Sequence, residues 1–241
     1  MTITTAIITT ITTETTTMAD RYERQLELLG PEGQSLLGQK RVLIVGCGGL
    51  GGFLLEYMIR LGVGEITAVD GDVFDESNLN RQLLSTEALL GCSKAAAAAE
   101  RARQINPQIS VIPVTEYFSE DNADELVKGQ DLVLDALDNV AARLLLEDAC
   151  ARHNVPLVHG AIEGWMAQIG VIRPGSGTLR NLYGSAGNGR SSKASLPFTP
   201  ALCAAVQAAE ALKLLLGQPA DLEDKLMMVN LLTMETEILS L

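Results

Sequence analysis

The sequence has no pair of closely spaced cysteines. Its four cysteines, at positions 47, 92, 150 and 203, stand far apart, and no C-x-x-C motif occurs. A structural zinc ribbon needs such pairs, so the spacing argues against this kind of site and we expect no zinc. The same distribution favours reduced and mostly buried thiols, which are typical of a cytoplasmic protein.

Basic residues are also scarce relative to acidic ones. Lys and Arg number 18 against 30 Asp and Glu, and the net charge of −12 is spread along the chain rather than collected in a tail. Nucleic acids and anionic membranes bind basic surfaces, so we expect neither as an unaided partner. No apolar stretch is long enough to predict a membrane span.

Residues 1–17, MTITTAIITTITTETTT, lack the basic start and the clean apolar core of a secretory signal. Glu14 and the absence of arginine also argue against a transit peptide. We interpret the stretch as a low-complexity leader, disordered or a start-site artefact, with Met18 as an alternative start. Residues 18–241 are then expected to form a single domain, since a chain with 47% hydrophobic content can bury a full core.

A glycine-rich turn between two predicted elements is the most informative motif. Residues 42–45 form a short apolar run that is typical of a buried parallel strand. Gly46, Gly48 and Gly51 then fit the G-x-G-x-x-G spacing, and an apolar helix is predicted over 53–61. Glycines let a backbone approach a ligand closely, and a helix N-terminus offers unpaired N–H groups to phosphate oxygens.

A second apolar run, residues 66–69, ends at Asp70. A carboxylate at this point can accept hydrogen bonds from a ribose. Strand, glycine turn, helix, strand and acid together predict a nucleotide-binding α/β unit. The alternative, a glycine turn that merely packs a helix on a strand, stays open at this point.

The rest of the chain alternates predicted strands and helices. Strands are expected at 109–114, 131–135 and 156–159, and helices at 20–29, 93–104, 121–127 and 140–153. This order predicts an α/β fold with a Rossmann-like, doubly wound and mostly parallel sheet. A strand at 167–172 with no crossover helix before it, and a terminal hairpin at 227–231 and 235–241, predict an antiparallel C-terminal extension.

Turn residues mark the remaining boundaries. Residues 30–33 are expected to end the first helix before a short helical turn, and residues 175–195, rich in Gly, Ser and Asn, predict a mobile loop. Thr199 and Pro200 are predicted as N-cap and first residue of an apolar helix that ends at Gly217. We interpret this helix as part of the core rather than as a dimer surface.

Polar side chains are concentrated where the predicted parallel strands end. Ligands of such sheets lie beyond the carboxyl ends of the strands, so these side chains are expected around one phosphate chain. They are Asp70, Asn78, Arg81, Lys94 and Asp138. Two cations offset phosphate charge and an acid such as Asp138 can hold Mg²⁺, so the set suits a triphosphate better than a dinucleotide. No P-loop G-x-x-x-x-G-K-[ST] occurs, so the phosphates would not be held in the P-loop manner.

Seven short motifs resemble, in order, those of the E1-like adenylyltransferases of the MoeB, ThiF and HesA group. They are RYERQ at 21–25, GCGGLG at 46–51, VDGD at 69–72, SNLNRQ at 77–82, GCSK at 91–94, INP at 105–107 and DALDN at 135–139. The resemblance covers roughly residues 20–217, which is most of the chain. It implies a short, zinc-free member of the family.

The resemblance implies an ATP site with Mg²⁺. The residues implied to bind the nucleotide are Gly46, Gly48, Gly49, Gly51, Asp70, Asp72, Asn78, Gln82 and Asn139. The residues implied to be catalytic are Arg24, Arg81, Lys94 and Asp138, with Asp138 as the Mg²⁺ ligand. Arg24 resembles an arginine that reaches the ATP of the other subunit, which implies a homodimer.

The implied reaction activates a small ubiquitin-like sulfur-carrier protein that ends in Gly-Gly. Its C-terminal glycine carboxylate attacks the α-phosphorus of ATP, which gives an acyl-adenylate and pyrophosphate. A carboxylate is ionised at neutral pH, so no general base is needed and positioning and charge stabilisation suffice. The stretch 183–196, which corresponds to the loop over the carrier tail, has no cysteine, so we expect adenylation without a covalent thioester.

Two other functions stay open from the sequence. An NAD(P)-dependent oxidoreductase fits the glycine motif and Asp70, but it has no use for Arg81, Lys94 and Asp138. A non-catalytic E1-like subunit that binds a carrier fits the zinc-free, shortened C-terminus. The identity of the carrier and its pathway, thiamine, molybdopterin or another, also stays open.

Several single residues have structural interpretations. Asp72 is equally compatible with a metal ligand and a turn cap. Asp135 is expected to be structural because it closes a strand, and His153 and His159 are expected to be ordinary surface or hydrogen-bonded histidines. Trp165 is predicted to pack beneath the segment that covers the carrier tail.

Overall fold

One sheet of eight strands runs through the part of the chain that the computed structural model describes, residues 12–184 and 194–241. The strands are β1 (Arg41–Val45), β2 (Glu65–Val69), β3 (Ser110–Val114), β4 (Leu132–Asp135), β5 (Leu157–Glu163), β6 (Met166–Ile172), β7 (Lys225–Asn230) and β8 (Glu235–Ser240). They lie side by side in the order β3-β2-β1-β4-β5-β6-β7-β8.

The first five strands are parallel. β1 pairs with β2 on one side and with β4 on the other, so the chain changes direction across the sheet between β1 and β4. In open parallel sheets, a ligand crevice forms at this switch point, outside the carboxyl ends of the strands. The predicted glycine turn follows β1, and Asp138 follows β4. Both are therefore at the carboxyl ends of the strands that border this crevice.

The last three strands are antiparallel. β6 returns along β5, and β7 and β8 continue the sheet as a hairpin. The turn between β5 and β6 contains Gly164 in the left-handed region at φ 56°, followed by Trp165. The predicted Rossmann-like, doubly wound sheet with an antiparallel C-terminal extension is confirmed.

Seven helices connect and cover the strands within the described residues. They are α1 (Thr12–Leu37), α2 (Gly49–Leu61), α3 (Lys94–Ile105), α4 (Ala123–Val127), α5 (Val140–His153), α6 (Thr178–Tyr183) and α7 (Phe198–Leu215). Alternate residues of β1 face opposite sides: Val42 and Ile44 join the core with α2 and α7, whereas Leu43 and Val45 join the core with α4 and α5. Both faces of the sheet are therefore covered, which explains the unbroken apolar run of this strand.

Some helix boundaries differ from those that the sequence predicts, and one agrees. α2 begins at Gly49, inside the glycine motif, rather than at residue 53. In α1 the predicted break is present: Gly30 has non-helical dihedrals of φ 68° and ψ 167°, and a second helical stretch that includes residues 34–37 follows this kink. Part of the predicted loop 175–195 is the helix α6, and residues 185–193 lie outside the described residues.

The predicted start of the apolar C-terminal helix is wrong by two residues. α7 begins at Phe198 with Pro197 at the N-cap, and its first turn has no side-chain cap. Thr199 is instead fully buried, and its hydroxyl donates to the carbonyl of Gly164 at 2.9 Å. The Thr199 hydroxyl, which the local pattern predicted as a helix cap, thus bonds to a residue that is distant in sequence.

The length of α7 also corrects the expectation that no stretch matches a membrane span. Among the described residues, α7 is the one helix long and apolar enough to cross a membrane. Half of it is buried, and it packs on α2, β5 and β6. Its apolar composition is therefore that of a core helix, as the sequence led us to expect.

Candidate functional site

The turn between β1 and α2 uses its glycines in two different ways. Gly46 has φ 96°, and a Cβ there would lie 2.6 Å from the carbonyl oxygen of Ala136. A Cβ on Gly51 would lie 1.7 Å from the carbonyl oxygen of Gly46. Gly48 and Gly49 are different, because a Cβ on either would meet its nearest side chain at ordinary distances of 3.5 and 3.6 Å. Packing requires glycine at the first pair, whereas the second pair leaves the backbone open to an approaching group.

The same turn presents the N-terminus of α2. Gly48 is the N-cap, and no side chain caps the helix there. The first N–H groups of a helix lack intrahelical partners, and the helix dipole adds partial positive charge at this end. An anion is the natural ligand of such a terminus.

Asp70 fixes the end of β2 against this turn. One carboxylate oxygen accepts from the N–H of Cys47 at 2.7 Å, and the other accepts from the N–H of Asp72 at 2.8 Å. Each oxygen keeps a further lone pair, and the residue is only half-buried. The predicted proximity of Asp70 to the glycine turn is therefore borne out by the geometry.

Lys94 and Asp72 form an ion pair beside Asp70. The Lys94 ammonium lies 3.1 Å from Asp72 Oδ2, and the Lys94 side chain is 8% exposed against 51% for Asp72. Tyr117 donates its hydroxyl to the other oxygen of Asp72, and this hydrogen bond raises the pKa of Tyr117. Asp72 is thus engaged as a hydrogen-bonded partner of Lys94 and not as a turn cap alone.

The segment after Asp72 carries the next predicted residues. A short 3-10 turn, Glu76–Asn78, is closed by a capping box in which Asn78 accepts from the N–H of Asp75 at 3.1 Å. The Arg81 guanidinium donates to the carbonyl of Ser77 and to the side chain of Asn80, both at 2.8 Å. These local bonds hold Arg81 at the rim of the site.

Gln82 is a buried amide with an unfilled acceptor. It is 7% exposed, and its Oε1 has no hydrogen-bond partner. Its amide group lies 3.5–4.0 Å from where a Cβ of Gly48 would be. A buried, unpaired acceptor costs free energy unless a ligand or water completes it. This is a signature of a binding site beside the glycine turn.

The loop after β4 meets the glycine turn through Ala136. It presents Asp138, which is exposed and has no hydrogen-bond or ion-pair partner among the described residues. Asn139 serves as the N-cap of α5, accepting from the N–H of Ala142 at 2.8 Å. Asn139, which the resemblance implied to bind the nucleotide, thus uses its amide oxygen to cap this helix.

A groove opens beside Arg81. It encloses about 510 Å³ and is lined by Ser77, Asn80, Arg81, Gly164, Trp165, Ala194, Ser195 and Leu196. Trp165 is 40% exposed and packs on Phe198, with the ring centroids 5.2 Å apart. The sequence predicted packing for Trp165, but the exposed fraction also gives this groove an aromatic wall.

Arg24 is not brought to this cluster within one chain. Its neighbours on α1 contact the far end of α2: Gln25 donates to the carbonyl of Leu61 at 3.0 Å, and Tyr22 packs against Gly62. That end lies near the amino ends of β1 and β2, whereas the glycine turn lies at the carboxyl end of β1. Any role of Arg24 at the site therefore needs a second copy of the chain.

The donor set fits Mg²⁺ carried with a phosphate chain. Within residues 12–184 and 194–241, no group of three or more His, Cys, Asp or Glu side chains is arranged to hold a metal. Mg²⁺ often binds one or two carboxylates and completes its shell with phosphates and water. The unpartnered carboxylate of Asp138, next to the glycine turn, matches that mode better than a protein-only cage.

The three buried cysteines show no activated thiol. Cys47, Cys150 and Cys203 are buried, and burial raises the pKa of each, to about 12 for Cys150. Cys92 is exposed. A nucleophilic cysteine needs a lowered pKa, so the three buried thiols act as packing groups, as expected for Cys203.

One buried polar network next to the site was not predicted as part of it. It joins His159, Asp135, Arg143 and Tyr183 beneath the loop that carries Asp138. The structural interpretations of His159 and Asp135 hold, since both are fully buried and hydrogen-bonded. No local motif links these residues, because they belong to two strands, β4 and β5, and two helices, α5 and α6.

The fold and this site define a nucleotide-binding α/β protein with a glycine turn and flanking cations at the switch point of the sheet. Within that class, residues 22–241 match the ThiF family, and the chain belongs to that family. The resemblance to the MoeB, ThiF and HesA group is thereby confirmed.

Two relatives illustrate the family. The chain is 38% identical over 228 residues to the SAMP-activating enzyme E1 of Haloferax volcanii, covering 92% of this chain and 84% of that protein. It is 37% identical over 213 residues to the sulfur carrier protein adenylyltransferase of Thermus thermophilus, covering 82% of this chain and 78% of that protein. With several longer relatives, this chain spans about half of the relative's own length.

The fold is also found in solved structures. The crystal structure of E. coli MccB with ATP superimposes with a TM-score of 0.79 at 22% identity, covering 92% of this chain and 71% of that chain. At this level of identity the match supports the architecture alone.

Proposed function

We propose that the protein is an ATP-dependent adenylyltransferase that activates the C-terminal glycine carboxylate of a small ubiquitin-like sulfur carrier. The observation that carries this proposal is the open glycine turn, with Asp70 hydrogen-bonded to Cys47 of that turn and the Lys94–Asp72 pair beside Asp70. Arg81 and Asp138 are on the segments that follow β2 and β4, at the same ends of the parallel strands. Relatives named as a SAMP-activating enzyme and as a sulfur carrier protein adenylyltransferase support the reaction and the partner.

Each residue then has a role that suits its chemistry. The N-terminus of α2 receives phosphate oxygens, and Gly48 and Gly49 allow the close approach. Asp70 accepts hydrogen bonds from the ribose with its remaining lone pairs. Lys94 and Arg81 offset the charge that develops on the phosphates during transfer.

The reaction balances without a protein base. A carboxylate oxygen of the carrier forms a bond to the α-phosphorus of ATP, and the bond from that phosphorus to the bridging oxygen breaks. The bridging oxygen leaves with its electron pair as pyrophosphate. Because the nucleophile is already ionised at neutral pH, no proton has to be removed, and catalysis rests on positioning and charge.

Asp138 is the residue that would hold Mg²⁺. An ion bound there would offset negative charge on the phosphates. The Asp138 carboxylate is exposed and unpartnered among the described residues, so it is free to act as an oxygen ligand.

Arg24 enters this proposal only through a homodimer. Because its neighbours on α1 contact the C-terminal end of α2, away from the glycine turn, its contribution would be to the ATP site of a partner copy. The groove of about 510 Å³ between Arg81 and Trp165 is the surface that we assign to the extended Gly-Gly tail of the carrier.

The test is exchange of labelled pyrophosphate into ATP in the presence of a panel of Gly-Gly-ended carriers. Asp138→Asn removes the charge of the proposed ligand with little change of shape. We expect exchange with at least one carrier for the wild type, and a loss on the order of a hundredfold in the variant.

Asp131→Asn is the matched control. Asp131 precedes β4 and Asp138 follows it, so the two substitutions change the same chemical group at opposite ends of one strand. Exchange that survives in both variants contradicts the role of Asp138. ATP binding without exchange for any carrier favours a non-catalytic carrier-binding subunit, and binding of NADH in place of ATP favours an oxidoreductase.

A further inference from the structure

His159 occupies the centre of a buried hydrogen-bond chain. It is fully buried on β5, with Nδ1 2.7 Å from Asp135 Oδ2 and Nε2 3.0 Å from the Tyr183 hydroxyl. Gln168 donates its amide to the same hydroxyl. Because it has no contact with solvent, His159 does not itself meet a ligand at the crevice.

The chain of bonds has one consistent direction. Burial lowers the pKa of His159, which favours the neutral ring. The Asp135 carboxylate can only accept, so Nδ1 carries the hydrogen, and Nε2 then accepts from the Tyr183 hydroxyl. Tyr183 in turn accepts from Gln168, so each group in the chain has a partner of the opposite kind.

The hydrogen-bond chain from Gln168 through Tyr183 and His159 ends at Asp135, which has several other partners. Besides His159, its carboxylate accepts from the N–H of Leu137 at 2.9 Å, and Arg143 Nε lies 3.4 Å away in ion-pair range, outside good hydrogen-bond geometry. The carbonyl of Asp135 accepts from the buried amide of Gln207 at 2.9 Å. The end of β4 is therefore fixed in both position and orientation.

The same network fixes the loop on both sides of Asp138. Leu137 is held by Asp135 at its N–H and by Arg143 at its carbonyl, where Nη2 donates at 2.5 Å. Asn139 is held by its cap bond to α5. Asp138 thus projects from a short segment whose two neighbours are anchored, while its own carboxylate stays exposed.

We propose that His159 and Arg143 are positioning residues that set the carboxylate of Asp138 for Mg²⁺ through Asp135 and Leu137. The inference rests on the proposed function, which assigns Mg²⁺ to Asp138. Outer-shell groups of this kind orient a metal ligand without touching the metal. The buried Asp135–Arg143 pair adds little net stability, because desolvation offsets its attraction, so its effect falls on geometry.

Two polar substitutions of the same histidine separate positioning from packing. The amide nitrogen of His159→Asn lies near the position of Nδ1 and can still donate to Asp135. The amide of His159→Gln reaches toward the position of Nε2 and serves Tyr183 instead. Both variants keep a neutral polar group, so they differ mainly in whether Asp135 keeps its donor.

The measurement is the affinity for ATP by calorimetry, with and without Mg²⁺, and it needs no carrier. We expect Mg²⁺ to tighten ATP binding to the wild type and Asp138→Asn to abolish that gain. His159→Gln is expected to reduce the gain by about tenfold while leaving metal-free binding unchanged, and His159→Asn to keep most of it. In the Asp138→Asn background, His159→Gln is expected to have no further effect, because it acts through Asp138.

Several results would overturn the inference. An unchanged Mg²⁺ gain in folded His159→Gln would do so, and so would equal losses in the Asn and Gln variants. A gain that persists in Asp138→Asn removes the metal ligand on which the inference depends. If His159→Gln does not fold, Arg143→Lys takes its place, since lysine keeps the charge but not the forked reach to Leu137; an unchanged gain there overturns the inference too.

Pyrophosphate exchange, run in parallel, keeps the two proposals apart. Wild type that binds ATP with Mg²⁺ but exchanges no pyrophosphate contradicts the proposed reaction, while the calorimetry still decides the positioning role. His153→Gln, at the other histidine of the chain, is the control for histidine replacement away from the site. We expect it to match the wild type in both assays.

Discussion

Individual glycines of the turn after β1 carry different constraints. Gly51 has no room for a side chain, because a Cβ would fall 1.7 Å from a backbone oxygen that cannot move away freely. Gly49 lies in the first turn of α2 with only ordinary contact to Pro200. One glycine therefore serves the fold, and the other is available to serve a ligand.

This difference gives a paired prediction. Gly51→Ala is expected to lower the free energy of unfolding by about 3 kcal/mol, since the turn must distort. Gly49→Ala is expected to leave stability unchanged or raise it by about 0.5 kcal/mol, because alanine favours a helix, while weakening ATP binding. Urea unfolding and calorimetry with ATP measure the two effects.

Either variant can contradict the role assigned to its glycine. If Gly49→Ala binds ATP as tightly as the wild type, the open backbone at that position is not part of the nucleotide site. If Gly51→Ala is as stable as the wild type, the close approach of the helix to the turn is not a constraint of the fold.

At the scale of whole elements, α2 and α3 are joined by a carboxylate on α2. Glu56 accepts from Arg60 one turn further along α2 and from Arg101 on α3, with N–O distances of 2.5 and 2.9 Å. Partial burial on its own raises the pKa of Glu56, but the hydrogen bonds from Arg101 and Arg60 outweigh it and leave the pKa below its usual value. The pair of helices that flanks the glycine turn is thus tied by charge as well as by packing.

A lowered pKa in the folded state makes this tie dependent on pH. The stabilisation from the ion pairs of Glu56 is fully present above the usual glutamate pKa of about 4.3. It disappears as the pH falls through the lower pKa that Glu56 has in the folded state. Glu56→Gln is expected to cost on the order of 1 kcal/mol at neutral pH and nothing in strong acid. Urea unfolding of both proteins across this range measures the difference, and a cost that does not vary with pH would contradict it. Glu100→Gln is the control for loss of a carboxylate that does not join two helices, because its partners Arg103 and Gln104 lie on the same helix.

At the scale of the whole molecule, the position of Arg24 determines what kind of assembly the proposed function needs. In one chain, Asp138 follows the carboxyl end of β4, whereas the neighbours of Arg24 contact the C-terminal end of α2 near the amino ends of the strands. A homodimer that brings Arg24 of one copy to the crevice of the other would make two composite sites related by symmetry.

Mixed dimers test this arrangement. Arg24→Ala and Asp138→Asn are each expected to lack pyrophosphate exchange, because every site in either homodimer has one defect. After mixing and subunit exchange, half of the dimers are hybrids, and each hybrid has one site with both residues intact, so about a quarter of wild-type activity is expected to return. No recovery in a mixture shown to contain hybrids would mean that Arg24 does not act in the partner's site.

The structure confirms those sequence predictions that depend on short stretches of residues. The turn after β1 and the reversal into antiparallel strands after β5 follow from patterns of a few residues, since glycine spacing and apolar runs act on the local backbone. The boundaries that the sequence missed have the opposite character. Thr199 was predicted as a cap and instead bonds to Gly164, a partner that no local pattern reveals.

The sequence by itself determined the order of strands and helices, the family, and the residues that line the carboxyl ends of the parallel strands. Only the tertiary structure decided that His159 and Arg143 meet at Asp135 beneath Asp138, and that the helix carrying Arg24 packs at the end of α2 away from the glycine turn. The physical reason is the range of the interactions. Local backbone preferences are written in neighbouring residues, whereas a buried hydrogen bond between distant positions exists only once the packed sheet brings its donor and acceptor together.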